Sequence, residues 1–596
     1  MTPASIIPVF GSQRPYADLN FAGGSFGLDG RSVSDLTALP GFTFTRASLA
    51  MGYDGTGKLV YGPNNLLLQS QTLDNASWTL NSATITANAV AAPDGTLTAD
   101  KLVEVAATTN HYALQVVTTS ANQTVISTYA KAAERSFVLV YHNVSASGRV
   151  FNLSTGALGG TGGAAAPQAS AMQSVGNGWY RCSITVATTA AANQARLYVL
   201  AADDGSTSYA GDGTSGIFLW GAQLEAVTYQ TTPSTYYPTT TAAYYGPRLV
   251  YDPVTLASQG ILVEEARTNL ALQSQTFDNA SWTKTNSVVT ANAVTSPDGT
   301  TNADLMVDDA TNADHKVRQG IAITSGTAYT FSAYAKAGTL NYVWLYAATP
   351  NVGKVFDLAA GTVLGNIGGA PTSATITAVG NGWYRCEMTY TAGATSTQNH
   401  DIGLSQNGVG FNYVGSGQGV YLWQAQLEAG TGASSPVPTT TAAVTRAADA
   451  VSLTGLSLAY PLSMVTQAIR NIGSTTSRHV ALVVDGNNFA AQGLNSAAVR
   501  SLRVVALGST TASIDGSAAA FGEVVTLGGR YQTDNVALVS AGSVVGTDVS
   551  AALPAATTVA QIGSYNGSAE FVNGTISRIR IYNRALPDAQ LQSLTS

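Results

Sequence analysis

The 596-residue sequence predicts an all-β protein, with two tandem antiparallel β-sandwich units followed by a different β-sandwich. Three observations predict it. Residues 65–104 and 269–308 match at 25 of 40 positions with a constant offset of 204. TYAK (128–131) and AYAK (333–336), GNGWYRC (176–182 and 380–386), and LWGAQLEA (219–226) and LWQAQLEA (422–429) keep almost that offset. Repeats of roughly 170 residues are long enough to bury their own cores, unlike solenoid units. Within each copy, short β-rich alternating runs are broken by turn signals, the pattern of an antiparallel sandwich. Only 10% of residues are charged, against about 25% in ordinary soluble domains, and Ser, Thr, Asn and Gly carry the surface instead.

Taken in order, residues 1–64 read as a separate N-terminal region with Gly- and Pro-rich turns and short apolar runs such as FTFTR (42–46). The first repeat spans 65–235. A connector over 236–268 is dense in tyrosine (Tyr236, Tyr237, Tyr244, Tyr245, Tyr251), the composition of a segment packed between domains or subunits. The second repeat spans 269–435, a linker 436–446, and a different module 447–596. PDGT at 93–96 and 297–300 places Pro and Gly where a tight turn needs them. Tyr180, Cys182, Ile184 and Val186 alternate with polar residues, as do Tyr384, Cys386, Met388 and Tyr390, so each lone cysteine belongs on a buried face as an inert thiol. With one cysteine per repeat, no disulfide can form within a repeat. Helical periodicity is confined to ALPDAQLQSL (585–594).

The chemistry-bearing residues are sparse. A net charge of −7 without a basic run argues against nucleic-acid binding. No apolar stretch is long enough for a membrane-spanning helix, and the N-terminus has no secretory leader pattern. His111, His142, His315, His400 and His479 form no metal-binding spacing. The acid pairs Asp203/Asp204, Glu264/Glu265 and Asp308/Asp309 are adjacent residues, which on a strand face opposite ways and make poor acid/base pairs. No cofactor is implied, although the acidic loop DDGSTSYAGDG (203–213) offers oxygen ligands for a structural calcium. Six of the seven tryptophans fall in matched pairs, Trp78/Trp282, Trp179/Trp383 and Trp220/Trp423, as framework residues would. Trp344 stands alone. It replaces Leu139, and with Tyr342 and Tyr346 it places three aromatics on one strand face, either a core face or a platform for sugar rings.

TFTRAS (43–48), YDPVTLASQGILVEEARTNL (251–270), NLxLQSQ followed by DNASWT, GNGWYRC and LWxAQLE together resemble a family of tailed-bacteriophage virion proteins with carbohydrate-binding-module-like jelly rolls. The chain departs from that family in carrying a whole extra module between TFTRAS and YDPVT. The C-terminal segment 563–594 resembles the closing strands of laminin-G/concanavalin A-like sandwiches. The resemblance implies a non-enzymatic virion fibre or spike, without membrane insertion and released on lysis. Its N-terminal region would anchor it to other virion proteins, and the module at 447–596 would bind host surface polysaccharide. A homo-oligomer, favoured as a trimer, follows by analogy with phage fibres. The rival readings are a polysaccharide depolymerase tailspike and a purely structural decoration protein. Polar and aromatic loops nominate Asp485, Asn487, Asn488, Tyr565, Asn566 and Asn573 as glycan contacts beside Tyr342, Trp344 and Tyr346, the alternative being ordinary turns between strands.

Overall fold

The computed structural model describes residues 14–119, 121–188, 192–409, 411–473 and 476–596. The fold is all-β. Each repeat is a jelly roll of two six-stranded antiparallel sheets. In the first copy one sheet runs Ala169–Gly176, Trp179–Ala187, Gln123–Ala132, Gly216–Val227, Ala99–Glu104, Ala83–Val90. The other runs Ala157–Gly163, Ser147–Asn152, Phe137–His142, Ala192–Leu200, Tyr112–Thr118, Thr79–Asn81. The second copy repeats both orders strand for strand. Period-two alternation sorts the side chains: Val138, Val140, Cys182 and Ile184 enter the inter-sheet core, while Leu139 and Tyr198 lie on the outer face. Cys182 and Cys386 are fully buried free thiols, pushed up from the ordinary thiol range by burial.

The repeated motifs are framing devices. Asn65 donates through Nδ2 to the Ala222 and Tyr237 carbonyls and accepts at Oδ1 from the Leu67 and Leu224 N–H groups. Asn269 makes the same four bonds with Ala425, Val437, Ala271 and Leu427. In GNGWYRC, Gly176, Asn177 and Gly178 all take positive φ (91°, 53°, 78°), and 380–382 repeat this at 85°, 52° and 76°. Glycine tolerates that region at no steric cost, which explains its place on both sides of the asparagine. Asn64–Asn65 pairs with Tyr244–Tyr245, and Arg267–Asn269 with Val444–Arg446, closing each jelly roll past the expected boundaries at 235 and 435.

The connector tyrosines pack within the chain. Tyr236 lies 5.0 Å from Trp220 and donates to or accepts from Ser70 Oγ, and Tyr237 stacks on Tyr244 at 4.6 Å. In the second copy the matching face is covered by the hairpin of Met51–Tyr53 and Leu59–Tyr61, which packs on Tyr334, Trp383 and Trp423.

The third sandwich corrects the expected domain order. Its ten-stranded and seven-stranded sheets are assembled from three separated stretches of chain. Gly574–Tyr582 pairs with Leu462–Arg470 on one side and with both Ala17–Asn20 and Ser258–Val263 on the other. In the facing sheet, Phe42–Thr45 pairs with Ala450–Leu453. Residues 14–64 are therefore not a separate region, because alternate apolar residues Ala17, Leu19 and Phe21 enter the same core as Ile261, Val263, Met464 and Ile579. Likewise 447–596 is not a self-contained module. Each jelly roll is an insertion into this discontinuous sandwich. The first thirteen residues of the expected anchoring region lie outside the described residues. The α-helix Asp588–Thr595 closes the chain, burying Leu591.

Candidate ligand-contact sites and the inter-module junction

The aromatic row of the second jelly roll is only partly available to a ligand. Tyr342, Trp344 and Tyr346 do share the outer face of their sheet. Trp344, however, is 3% exposed, lies against Phe411 and Ile367, and donates its indole N–H to the Leu404 carbonyl at 2.9 Å. It sinks because its cross-strand neighbour is Gly403, where a Cβ would meet the indole at 2.0 Å. Tyr346 donates its hydroxyl to Asn351 Oδ1 at 2.8 Å. Tyr342 lines a groove of about 420 Å³, with Asp357, Asn366, Asn407 and the 80%-exposed Val409. The first copy has Phe137 and Asn152 in register where this one has Tyr342 and Asp357.

In the third sandwich two of the nominated loops converge. Tyr565 packs 5.0 Å from Phe489, directly after the turn carrying Asp485, Asn487 and Asn488. Asp485 accepts from the Asn487 N–H and the Asn488 amide, and Asn488 Oδ1 accepts from the Leu507 N–H, while the buried Tyr565 hydroxyl has no hydrogen-bond partner in the protein. Asn566 exchanges hydrogen bonds with Gln561. Asn573 is elsewhere. It is 4% exposed and its Oδ1 accepts from the Glu265 N–H at 2.9 Å, which ties the third sandwich to the returning connector. Asn573 thus lies apart from the loops of Asp485 and Tyr565, in the lining of a cleft between the third sandwich and the second jelly roll.

The acidic residues are satisfied by backbone N–H groups. Asp212 accepts from the Thr214 and Ser215 N–H groups, and Asp204 from that of Ser206. Asp308 accepts from three successive N–H groups at 416–418. Among the described residues no three His, Cys, Asp or Glu side chains converge as a metal site.

A charge cluster that sequence reasoning missed lies where the chain crosses between modules. Arg46 leaves the third sandwich for the first jelly roll, Arg248 returns from it, Glu264 leaves for the second, and Arg446 and Asp449 return. Arg46 and Arg248 bind the two oxygens of Asp449 at 2.9 and 2.5 Å, and Arg248 also binds Glu264 at 2.8 Å. Arg446 approaches Glu264 at 3.6 Å, and Ser435 donates to it through both N–H and hydroxyl. All five charged side chains are at most 4% exposed. Burial by itself would raise both carboxyls, but Arg248, Arg46 and Arg446 hold Asp449 below its ordinary value, and Arg446 and Arg248 hold Glu264 well below its own. The available signal was the recurrence of arginine at each junction, in TFTRAS, GPR, EEARTN and TRAAD.

Fold and site define a class, an all-β protein in which two jelly rolls interrupt a third, discontinuous two-sheet sandwich. No family model matches the chain, and no curated protein matches it. Solved structures do. The tandem CBM22-1–CBM22-2 domains of Paenibacillus barcinonensis Xyn10C are 11% identical, with 62% of this chain and 98% of that one covered and a TM-score of 0.20. Domain 4 of AbnA, an extracellular GH43 arabinanase of Geobacillus stearothermophilus in complex with arabinotriose, is 17% identical over 25% and 73%, with a TM-score of 0.21. Mouse laminin α1 LG4–5 is 9% identical over 47% and 90%, with a TM-score of 0.16.

Proposed function

We propose that the protein is a non-enzymatic virion component of a tailed bacteriophage, a fibre or spike that binds bacterial surface glycans. The observation that carries the binding half is the groove at Tyr342: an aromatic ring beside Asp357, Asn366 and Asn407 offers the stacking face and hydrogen-bonding rim that a sugar needs. The virion half rests on the motif series from TFTRAS to LWxAQLE. In this reading, host polysaccharide and neighbouring virion proteins are the partners, and the chain assembles as a homo-oligomer, a trimer by analogy with phage fibres.

Intact protein applied to an array of bacterial capsular polysaccharides and O-antigens is expected to bind at least one without generating reducing ends. Tyr342→Ala is expected to weaken that binding by about threefold to tenfold, the worth of one aromatic contact. Binding to none would refute the glycan reading, and new reducing ends would refute the non-enzymatic one. Mass spectrometry of purified particles is expected to find the chain, and its absence would remove the virion assignment.

A further inference from the structure

A second cleft, of about 450 Å³, opens where the second jelly roll, the hairpin around Tyr53, the returning strands at 248–263 and the third sandwich meet. Its lining is amphipathic. Leu262 and Ile472 give an apolar floor, and Phe521 stands at the mouth 60% exposed, its ring held by the Arg470 guanidinium 5.0 Å from the centroid. Thr377 and Asn471 present neutral polar groups. Thr575 also lines the cleft. It is 1% exposed and its Oγ1 has no hydrogen-bond partner in the protein. A buried hydroxyl left unpaired is costly, and here it borders a cleft from which a ligand hydroxyl can supply the missing bond.

The charges in the wall are already neutralised. Arg385 Nε lies 3.4 Å from Glu387, Glu264 is held by Arg248, and Asp252 accepts from the N–H groups of its own turn. Arg385 Nε itself makes no hydrogen bond, so the wall keeps one buried donor beside its paired charges. A neutral polyol with an apolar ring face matches a floor and mouth of Leu262, Ile472 and Phe521 under a rim of hydroxyl and amide groups. The volume falls within the range of small-ligand sites, roughly 300–1,000 Å³.

We propose that this cleft binds a single pyranose residue of a neutral polysaccharide, at a site completed only when the second jelly roll, the hairpin around Tyr53 and the third sandwich are assembled. The proposal rests on the glycan-binding reading above and adds a second, inter-module site to the Tyr342 groove.

The test titrates intact protein with the methyl pyranosides of glucose, mannose, galactose and rhamnose, followed by saturation-transfer NMR and calorimetry. At least one is expected to bind. Phe521→Ala, at an exposed position, and Asn471→Ala, at an exposed position whose side chain lines the mouth, are each expected to weaken it about tenfold with the melting profile unchanged. Binding that survives both cleft variants but is lost in Tyr342→Ala would overturn the cleft while leaving the glycan reading intact. No binding of any of the four probes, by a protein that still binds polysaccharide on the array, would overturn the cleft as well. Failure on the array too would remove both.

Discussion

Buried charge at the crossings between modules is the strongest residue-scale commitment of this chain. Asp449 receives two guanidinium groups from opposite ends of the first insertion, and Arg248 also holds Glu264, so removing Arg248 breaks two buried ion pairs at once. Arg248→Met is therefore expected to cost about 3–5 kcal/mol in chemical denaturation, as broken buried pairs do. The pH dependence has a defined sign. Asp449 has a folded pKa below its unfolded value, so its contribution is fully present above the ordinary carboxylate range and is lost as pH falls through the lowered folded value. The stability difference between wild type and Asp449→Asn should hence be constant from neutral pH down to about 5 and shrink below it. A difference that grows on acidification would contradict the assignment. In the sequence these residues were visible only as arginines inside motifs and, for Glu264, as half of an adjacent acid pair. Their convergence was not, because Arg46 and Asp449 are 403 residues apart. By contrast, the buried cysteines and the frame role of Trp78, Trp179 and their counterparts were legible, since local alternation and duplication constrain them directly.

At the scale of single strands, the two copies solve one packing problem in opposite ways. Leu139 pairs across the strands with Tyr198 in the first copy, and Trp344 with Gly403 in the second. The bulk has moved from one strand to its neighbour. Gly403→Tyr alone should be severely destabilising, since even a Cβ there would clash with the indole. Trp344→Leu alone should cost about 2–4 kcal/mol by leaving a cavity. The double variant rebuilds the first copy's arrangement and should recover most of both losses, giving a favourable coupling in a double-mutant cycle. Additive losses would show that the swap is not compensatory. Period-two alternation placed Tyr342, Trp344 and Tyr346 on one face, as observed. It could not say how deep each ring sits, because depth depends on the neighbouring strand, and a glycine there lets the tryptophan lie flat.

For the whole molecule, sequence reading found the modules but not their nesting. The repeats, their strand content and the terminal helix were legible because each rests on local pattern. The strand Ala17–Asn20, its partner Gly574–Tyr582 and the returning Ser258–Val263 each look like an ordinary short strand, and nothing local marks them as neighbours. The unusual spacing of TFTRAS and YDPVT now has a physical account: those segments belong to the outer sandwich, and a jelly roll is inserted between them. A polarity running along the chain, from an anchor at 1–64 to a receptor-binding end at 447–596, does not fit strands that hydrogen-bond to each other. The jelly rolls should be separable. Residues 64–246 are expected to fold alone as a β-sandwich with a cooperative melt, and a disordered circular dichroism spectrum would contradict that. The most direct test of the nested architecture is the thermal melt of two proteins side by side: residues 447–596 alone, and a fusion of 14–46, 247–264 and 447–596 through short flexible linkers that replace the jelly rolls. The fusion is expected to melt cooperatively as a β protein while 447–596 alone shows no cooperative transition, because it lacks the strands that complete both sheets. A cooperative melt of 447–596 alone at the temperature of the fusion would contradict the account.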